Sequence, residues 1–192
     1  MKSLGWKIDY QKLLEYLREK YNISKAFYYA GIEIYKFSYS ILDEKPIDLE
    51  ELFEFLKEKL KRESNQLSEA QIIILERNIG KTKFYLKLKE FGYILRLKPT
   101  KIYKETDGTT KKKANCDVDM TFDIMKMINE FDEIIVLSGD GDFAVLLKYL
   151  AVKQKKVIVL ARSERTAKEM RQLVGGDFRD FHKIRNKIEF FE

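Results

Sequence analysis

Two acidic residues, Asp140 and Asp142, follow an apolar run that is typical of a buried strand (IIVL, residues 134–137). They occupy the loop before a predicted helix, and ligands of open α/β sheets collect at the carboxyl ends of strands. Two neighbouring carboxylates repel each other unless a proton or a cation lies between them, and Mg²⁺ prefers one or two carboxylates with water and substrate phosphate. The loop therefore favours a metal site. The alternative is structural, with Asp140 capping the helix and Asp142 stabilised by its dipole.

A second acidic group lies at the start of a predicted helix over residues 117–129. Asp119 and Asp123 are four residues apart and share one face, whereas Asp117 lies at the helix entrance. Capping needs only one acidic residue, so three favour a metal site, although a solvated helix face explains them equally well. The apolar residues of this helix are predicted to form its buried face: Val118, Phe122 and Met125.

The positive charge of the chain is concentrated in residues 81–113. This segment has eleven Lys or Arg and three acids, a net charge of +8, whereas the whole chain carries +6. Its lysines alternate with aromatic residues, as expected where a protein follows a phosphate backbone and stacks on bases. The alternative is that the lysines form a solvated surface and the aromatic rings between them belong to the core. The aromatic residues concerned are Phe84, Tyr85, Phe91, Tyr93 and Tyr103. The predicted contacts to nucleic acid are Lys98, Lys101, Lys104, Lys111, Lys112, Lys113 and, from the acidic loop, Ser138.

Acidic clusters together with a basic strip predict metal-assisted hydrolysis of a phosphodiester. A bound divalent metal polarises the phosphoryl oxygen and lowers the pKa of a bound water, which supplies a nucleophile without a histidine base. The single cysteine, Cys116, and the single histidine, His182, cannot form a Cys/His zinc site or an intramolecular disulfide. A hard divalent metal such as Mg²⁺ is therefore the expected cofactor, and a nucleic acid the expected partner.

The organisation predicted from periodicity is a single domain over residues 1–192, in which helices alternate with short β-rich runs. No apolar run is close to the length of about 20 residues that a membrane helix needs, and the N-terminus has no signal-like apolar region. A cytoplasmic protein is therefore expected. Nothing in the sequence decides the oligomeric state, and a homo-oligomer stays open. The predicted helices span residues 9–20, 48–61, 69–91, 117–129, 143–151 and 165–174, and the predicted strands span residues 26–32, 93–97, 133–137 and 156–160.

Four segments of the chain, in this order, resemble the NYN domain of the PIN-like nuclease superfamily, in its LabA-like branch formerly grouped as DUF88. The segment KKKANCDVDMTFD places Asp117 and Asp123 on acidic positions of the family, and SGDGDF matches the family pattern Ser-Gly-Asp-x-Asp-Phe fully. The segments KKVIVLA and LVGGDFRDF, residues 155–161 and 173–181, resemble the next strand and the closing part of the domain.

The resemblance implies a three-layer α/β/α sandwich with a mainly parallel sheet and PIN-like, Rossmann-like topology. It also implies an acidic pocket that binds Mg²⁺ or Mn²⁺ and, in many members, hydrolyses RNA. In this sequence the catalytic residues would be Asp117, Asp140 and Asp142, with Asp123 as a further metal ligand.

Two departures from the family pattern affect this interpretation. Members usually begin with a strand that ends in Asp-x-x-Asn, whereas this sequence starts at MKSLGWKIDY, so we expect either a longer encoded protein or a copy without its first ligand. Residues 37–80 exceed the usual connection and are predicted to be a helical insertion. The hypotheses are a metal-dependent endoribonuclease, a weak or inactive RNA-binding regulatory module and, with the least support, a phosphotransfer enzyme of the Asp-x-Asp type.

Overall fold

A computed structural model describes residues 5–40, 45–104 and 110–191, without the side chains at 102, 104 and 110–113. The chain divides into two compact units. The first unit consists of Met1–Tyr21 with Asp117–Glu192, and the second of Asn22–Cys116. In chain order the elements are α1 (Tyr10–Tyr21), β1 (Phe27–Ile32), α2 (Leu49–Glu63), α3 (Glu69–Phe91), β2 (Ile94–Pro99), β3 (Lys101–Lys104), β4 (Thr110–Lys113), α4 (Cys116–Lys126), β5 (Glu133–Val136), α5 (Ala144–Val152), β6 (Lys156–Ala161), α6 (Lys168–Val174), β7 (Phe178–Asp180) and α7 (Arg185–Ile188).

The first unit contains a parallel sheet with the strand order β5-β6-β7. Val159 in the central strand pairs with Val136 on one side and with Phe178 on the other. Five of the six residues of β6 are buried, as expected for a central parallel strand covered on both faces. Since the three strands are parallel, their carboxyl ends lie at one edge of the sheet.

The core of the first unit is made of side chains from this sheet and from α4, α5 and α6. Leu147 and Leu150 of α5 are almost completely buried, as are Val159 of β6 and Met170 of α6. The contribution of α4 is Ile124. These contacts fix the positions at which the loops leave the sheet.

The N-terminal segment packs against the C-terminal one within the same unit. Asp9 caps α1, since its carboxylate accepts hydrogen bonds from the backbone N–H groups of Gln11 and Lys12. Ile8 and Glu189 form an antiparallel bridge, and α1 packs on α7. The predicted amphipathic helix and its cap are therefore confirmed.

The second unit contains the antiparallel pair β3–β4 and a parallel pair, β1 and β2, packed on α3, with α2 beside α3. Helix α3 begins with a capping box between Ser68 and Gln71 and ends at Gly92, whose φ of 101° favours glycine. Asn78 and Gly80 lie inside α3 without interrupting it, and the Asn78 amide donates to the Tyr35 hydroxyl. One helix of 23 residues therefore supports the strand pair.

The predicted fold class is confirmed, since helices alternate with short parallel sheets. The antiparallel pair β3–β4 was not predicted from the sequence. Helix α6 begins three residues later than expected, because Ser163–Arg165 forms a separate 3₁₀ turn. The assignment of the whole chain to one domain, with residues 37–80 as an insertion, stays a prediction.

Candidate functional site

The carboxyl edge of β5-β6-β7 presents the acidic loop that the sequence singles out. Asp140 caps the 3₁₀ turn Gly141–Phe143, because its Oδ1 accepts a hydrogen bond of 3.1 Å from the backbone N–H of Asp142. The backbone N–H of Asp140 donates to the Ser138 hydroxyl at 3.2 Å. Both aspartates are exposed. Asp140 is a cap, as expected, but it caps this 3₁₀ turn and not α5, which begins without a side-chain cap. Both carboxylates stay on the surface at the end of the strand.

The loop after β6 lies directly against the acidic loop. The backbone N–H of Ala167 donates to the carbonyl of Gly139 at 2.9 Å. Thr166 is buried, and its hydroxyl donates to the carbonyl of Arg162 at 2.7 Å, which closes the β6–α6 turn on itself. These bonds hold the backbone of the acidic loop against a second ordered loop.

Sequence reasoning missed Asp180, at the end of β7. Its Oδ1 accepts from the backbone N–H of His182 at 2.8 Å and its Oδ2 from that of Ser163 at 3.3 Å. Partial burial opposes ionisation, but hydrogen bonds from the Ser163 side chain and from these two backbone groups outweigh it and lower the pKa of Asp180. The available signal was an aspartate inside the segment LVGGDFRDF, which resembles the closing part of the family domain.

An open cleft of about 600 Å³ lies between the acidic loop and the β6–α6 loop. Its walls carry both signs of charge, with Asp140 from one loop and Glu164 and Arg165 from the other. Arg162, at the base of the second loop, pairs with Glu164. A carboxylate beside an arginine suits a metal-bound phosphate, because the metal binds to the carboxylate and the guanidinium binds phosphate oxygens.

Helix α4 carries the second acidic group, with Asp117 and Asp119 in its first turn and Asp123 one turn later. Two of the three residues of its predicted buried face were wrong, whereas the third, Met125, is partly buried against the core. Val118 and Phe122 are 59% and 65% exposed, and the buried residue is Ile124. The carboxylates of α4 therefore lie on a helix whose outer surface is partly apolar.

The four predicted metal ligands do not come together as one group. Within residues 5–40, 45–104 and 110–191, no three His, Cys, Asp or Glu side chains form a cluster that could hold a metal ion. The donor set of Asp140 and Asp142 alone still fits Mg²⁺, which needs only one or two carboxylates when water and phosphate complete its shell. The assignment of Asp117 and Asp123 to the same site stays a prediction.

The basic residues predicted to bind nucleic acid lie in the second unit. The Lys98 ammonium donates to the carbonyl of Asn115 at 3.3 Å, and Lys101 is exposed. The register of β3–β4 pairs Lys101 with Lys113 and Tyr103 with Lys111. The side chains of the remaining predicted contacts in this hairpin lie outside the described part: Lys104, Lys111, Lys112 and Lys113.

The aromatic residues of the basic segment have two different roles. Tyr85 and Tyr93 are buried and contact Tyr28 of β1, so their assignment to the core is confirmed. Tyr103 is 50% exposed. Of these three rings, only that of Tyr103 lies on the surface where a base could stack.

Comparison with known proteins identifies the family. Residues 32–181 match the NYN domain, so the chain belongs to the NYN domain family, as the four motifs indicated. It is 32% identical over 104 residues to the low amplitude and bright protein LabA of Synechococcus elongatus, which supports the LabA-like branch. The match includes 53% of this chain and 55% of that protein, so the chain spans about half the length of its curated relative.

The fold has a counterpart among solved structures. A crystal structure of a protein of unknown function from Vibrio parahaemolyticus aligns with a TM-score of 0.58 and 19% identity, over 98% of this chain and 86% of that one. This likeness concerns the fold alone.

In the described residues, no helix is both long and apolar enough to cross a membrane.

Proposed function

We propose that this chain is a metal-dependent endoribonuclease that hydrolyses RNA phosphodiesters at the carboxyl edge of β5-β6-β7. The observation that carries the proposal is the pair of exposed carboxylates, Asp140 and Asp142, presented by a loop that the neighbouring loop holds in place. Membership of the NYN domain family supports it. A cytoplasmic location belongs to the same proposal.

Asp140 and Asp142 would hold Mg²⁺ or Mn²⁺, whereas Asp117 and Asp123, which do not form one group with them among the described residues, stay ligands predicted from the family pattern. When bound, the metal supplies a polarised phosphoryl oxygen and a water of lowered pKa. Arg165 in the cleft would bind a phosphate oxygen, and the hydrogen bond from the Asp142 N–H holds Asp140 Oδ1 in a fixed orientation. These residues bind and orient the phosphodiester, while the lysines from Lys98 to Lys113 would contact the RNA backbone.

A second candidate function is an RNA-binding regulatory module with weak or no cleavage. It is favoured by the absence, among the residues that the structure describes, of any cluster of three metal-ligating side chains. Such a module would keep the charge-driven affinity of the lysine-rich segment without chemistry.

Cleavage of labelled single-stranded RNA in Mg²⁺ and in Mn²⁺ tests the proposal. We expect cleavage that EDTA abolishes and that the Asp140→Asn/Asp142→Asn double variant loses by about 100-fold or more, since a metal ligand contributes several kcal/mol. Asp132→Asn is the matched control, because Asp132 is fully exposed, lies before β5 and pairs with Lys155. Salt-sensitive binding that persists in EDTA, without cleavage in either metal, would select the regulatory module instead.

A further inference from the structure

Helix α5 is apolar on two sides. Its inner side, including Leu147 and Leu150, belongs to the core. Its outer side carries Val145, Tyr149 and Val152, which share a face at spacings of four and three residues. These side chains are 81%, 40% and 73% exposed. A surface helix normally presents polar residues outward, so this outer stripe has the composition of a contact surface.

The stripe continues into a groove between α5 and α6. The groove has a volume of about 390 Å³, and its apolar lining includes Val145 of α5 and Leu173 of α6. Two opposite charges lie along it, Lys148 on α5 and Glu169 on α6. In the described part of the chain neither of them forms an ion pair. The patch therefore combines an apolar stripe with one unpaired charge of each sign.

We propose that this α5–α6 face is the two-fold interface with a second copy of the chain. In an interface of that symmetry the same patch meets itself, so it must carry both members of every complementary pair. The α5–α6 face meets that requirement, because the Lys148 of one copy has a counterpart in the Glu169 of the other. With antiparallel α5 helices, Val145 of one copy lies near Val152 of the other, and the two Tyr149 rings lie near the axis.

The charges of this face distinguish a second copy from other occupants. RNA requires a positive surface, and here Lys148 is balanced by Glu169 beside an apolar stripe. The exposed apolar pair on α4, Val118 and Phe122, lies on a helix that carries three aspartates, so that face would repel its own copy. The α5–α6 face has the better balance of charge for self-association.

Sedimentation equilibrium of the whole chain over a wide range of concentration tests the proposal. We expect a mass that rises from 22.9 kDa to twice that value. Val145→Asp and Val152→Asp should each raise the dimer Kd by about 30-fold or more, since each buries an unpaired charge at the centre of the interface. Ile73→Asp is the matched control, because Ile73 is a half-exposed residue of α3 in the other unit, and this variant should leave the Kd unchanged.

A charge exchange provides a test that does not depend on the apolar variants. Lys148→Glu and Glu169→Lys should each weaken the dimer, and the double exchange should restore it, which a general loss of folding would not do. The proposal is overturned by a chain that stays monomeric at every concentration, by a dimer that survives Val145→Asp, or by one that Ile73→Asp dissociates.

Discussion

Gly139 lies so close to Thr166 that no other residue fits at position 139 without movement of the backbone. A β-carbon placed there would be 2.8 Å from Thr166 Oγ1 and 3.0 Å from Thr166 Cα. The second of these atoms belongs to the backbone and cannot rotate away. The glycine that precedes the two exposed aspartates thus allows the acidic loop to lie against the β6–α6 loop.

Replacing this glycine should cost stability. We expect Gly139→Ala to lower the free energy of unfolding by about 1–3 kcal/mol, because the added methyl group must displace a packed backbone. Gly80→Ala is the matched control, since a β-carbon at position 80 meets nothing within 4 Å and the site lies inside α3. The free energy of unfolding of that variant should rise by up to about 1 kcal/mol, because alanine has a higher helix propensity than glycine. Urea unfolding measures the change in the free energy of unfolding for both variants. If Gly139→Ala left that free energy unchanged, the close approach of Gly139 to Thr166 would be contradicted.

Thr166 provides an independent test of the same pair of loops. Its hydroxyl donates to the Arg162 carbonyl, and the side chain is buried. Thr166→Val keeps the shape and removes one of the two donors to that carbonyl, which the backbone N–H of Arg165 also reaches at 3.0 Å, so it should cost about 0.5–1.5 kcal/mol. Thr166→Ser keeps the donor and should lose less in the same urea titration. If Thr166→Ser were the more damaging variant, packing of the methyl group would be the larger effect.

The elements around the acidic loop could be predicted because their signals are local. An apolar run that ends at residue 137, followed by SGDGDF and an apolar helix, predicts strand, loop and helix, and the structure has β5, the capped turn and α5 there. The role of Asp140 as a cap also depends only on its neighbours. Asp180 was missed because its hydrogen bond to Ser163 depends on the pairing of β6 with β7, which sequence spacing does not reveal.

Two further differences between the sequence-based prediction and the structure also arise because contacts between distant elements leave no local signal. Strand β4, with the sequence TKKK, has no apolar alternation, so nothing local predicted its antiparallel pairing with β3. Helical periodicity identified the stripe of Val118 and Phe122 on α4, but periodicity does not show whether another element covers a stripe. The same argument explains why the outer stripe of α5 was not recognised from the sequence.

The stability of the first unit should depend on pH through Asp180. Hydrogen bonds lower the pKa of this carboxyl in the folded chain, despite its partial burial. A group whose pKa is lowered on folding stabilises the protein above its unfolded pKa of about 3.9, and that contribution is lost as the pH falls through the folded pKa. Asp180→Asn should therefore reduce stability at neutral pH and have a smaller effect in acid.

Chemical denaturation at a series of pH values measures this difference. Ser163→Ala removes the side-chain hydrogen bond to Asp180, so it should move the acid loss of stability to higher pH. An effect of Asp180→Asn that is equal at all pH values would assign Asp180 a role in packing rather than one that depends on its charge.

One backbone carbonyl in the second unit accepts hydrogen bonds from two side chains, and a double variant can test whether one bond compensates for the loss of the other. The carbonyl of Gly31 accepts from the Tyr85 hydroxyl at 3.0 Å and from the Lys81 ammonium at 2.8 Å. Tyr85→Phe keeps the buried ring and leaves the lysine as a donor, so it should cost only about 0.5–1.5 kcal/mol. Combining it with Lys81→Met leaves the carbonyl without either donor and should cost more than the sum of the two single variants. Strict additivity would show that the two bonds act independently.

Metal binding distinguishes the two acidic groups. If Asp140 and Asp142 hold the metal, Mn²⁺ should raise the melting temperature of the protein, because a ligand that binds only the folded state stabilises it by mass action. EDTA should reverse the rise, and the Asp140→Asn/Asp142→Asn variant should show none. Asp117→Asn should weaken the rise if α4 contributes a ligand to the same ion, whereas Asp119→Asn, also in the first turn of α4, is the control. A rise that survives the double variant but disappears in Asp117→Asn would place the metal on α4 instead of the loop, and the proposed site would have to move with it.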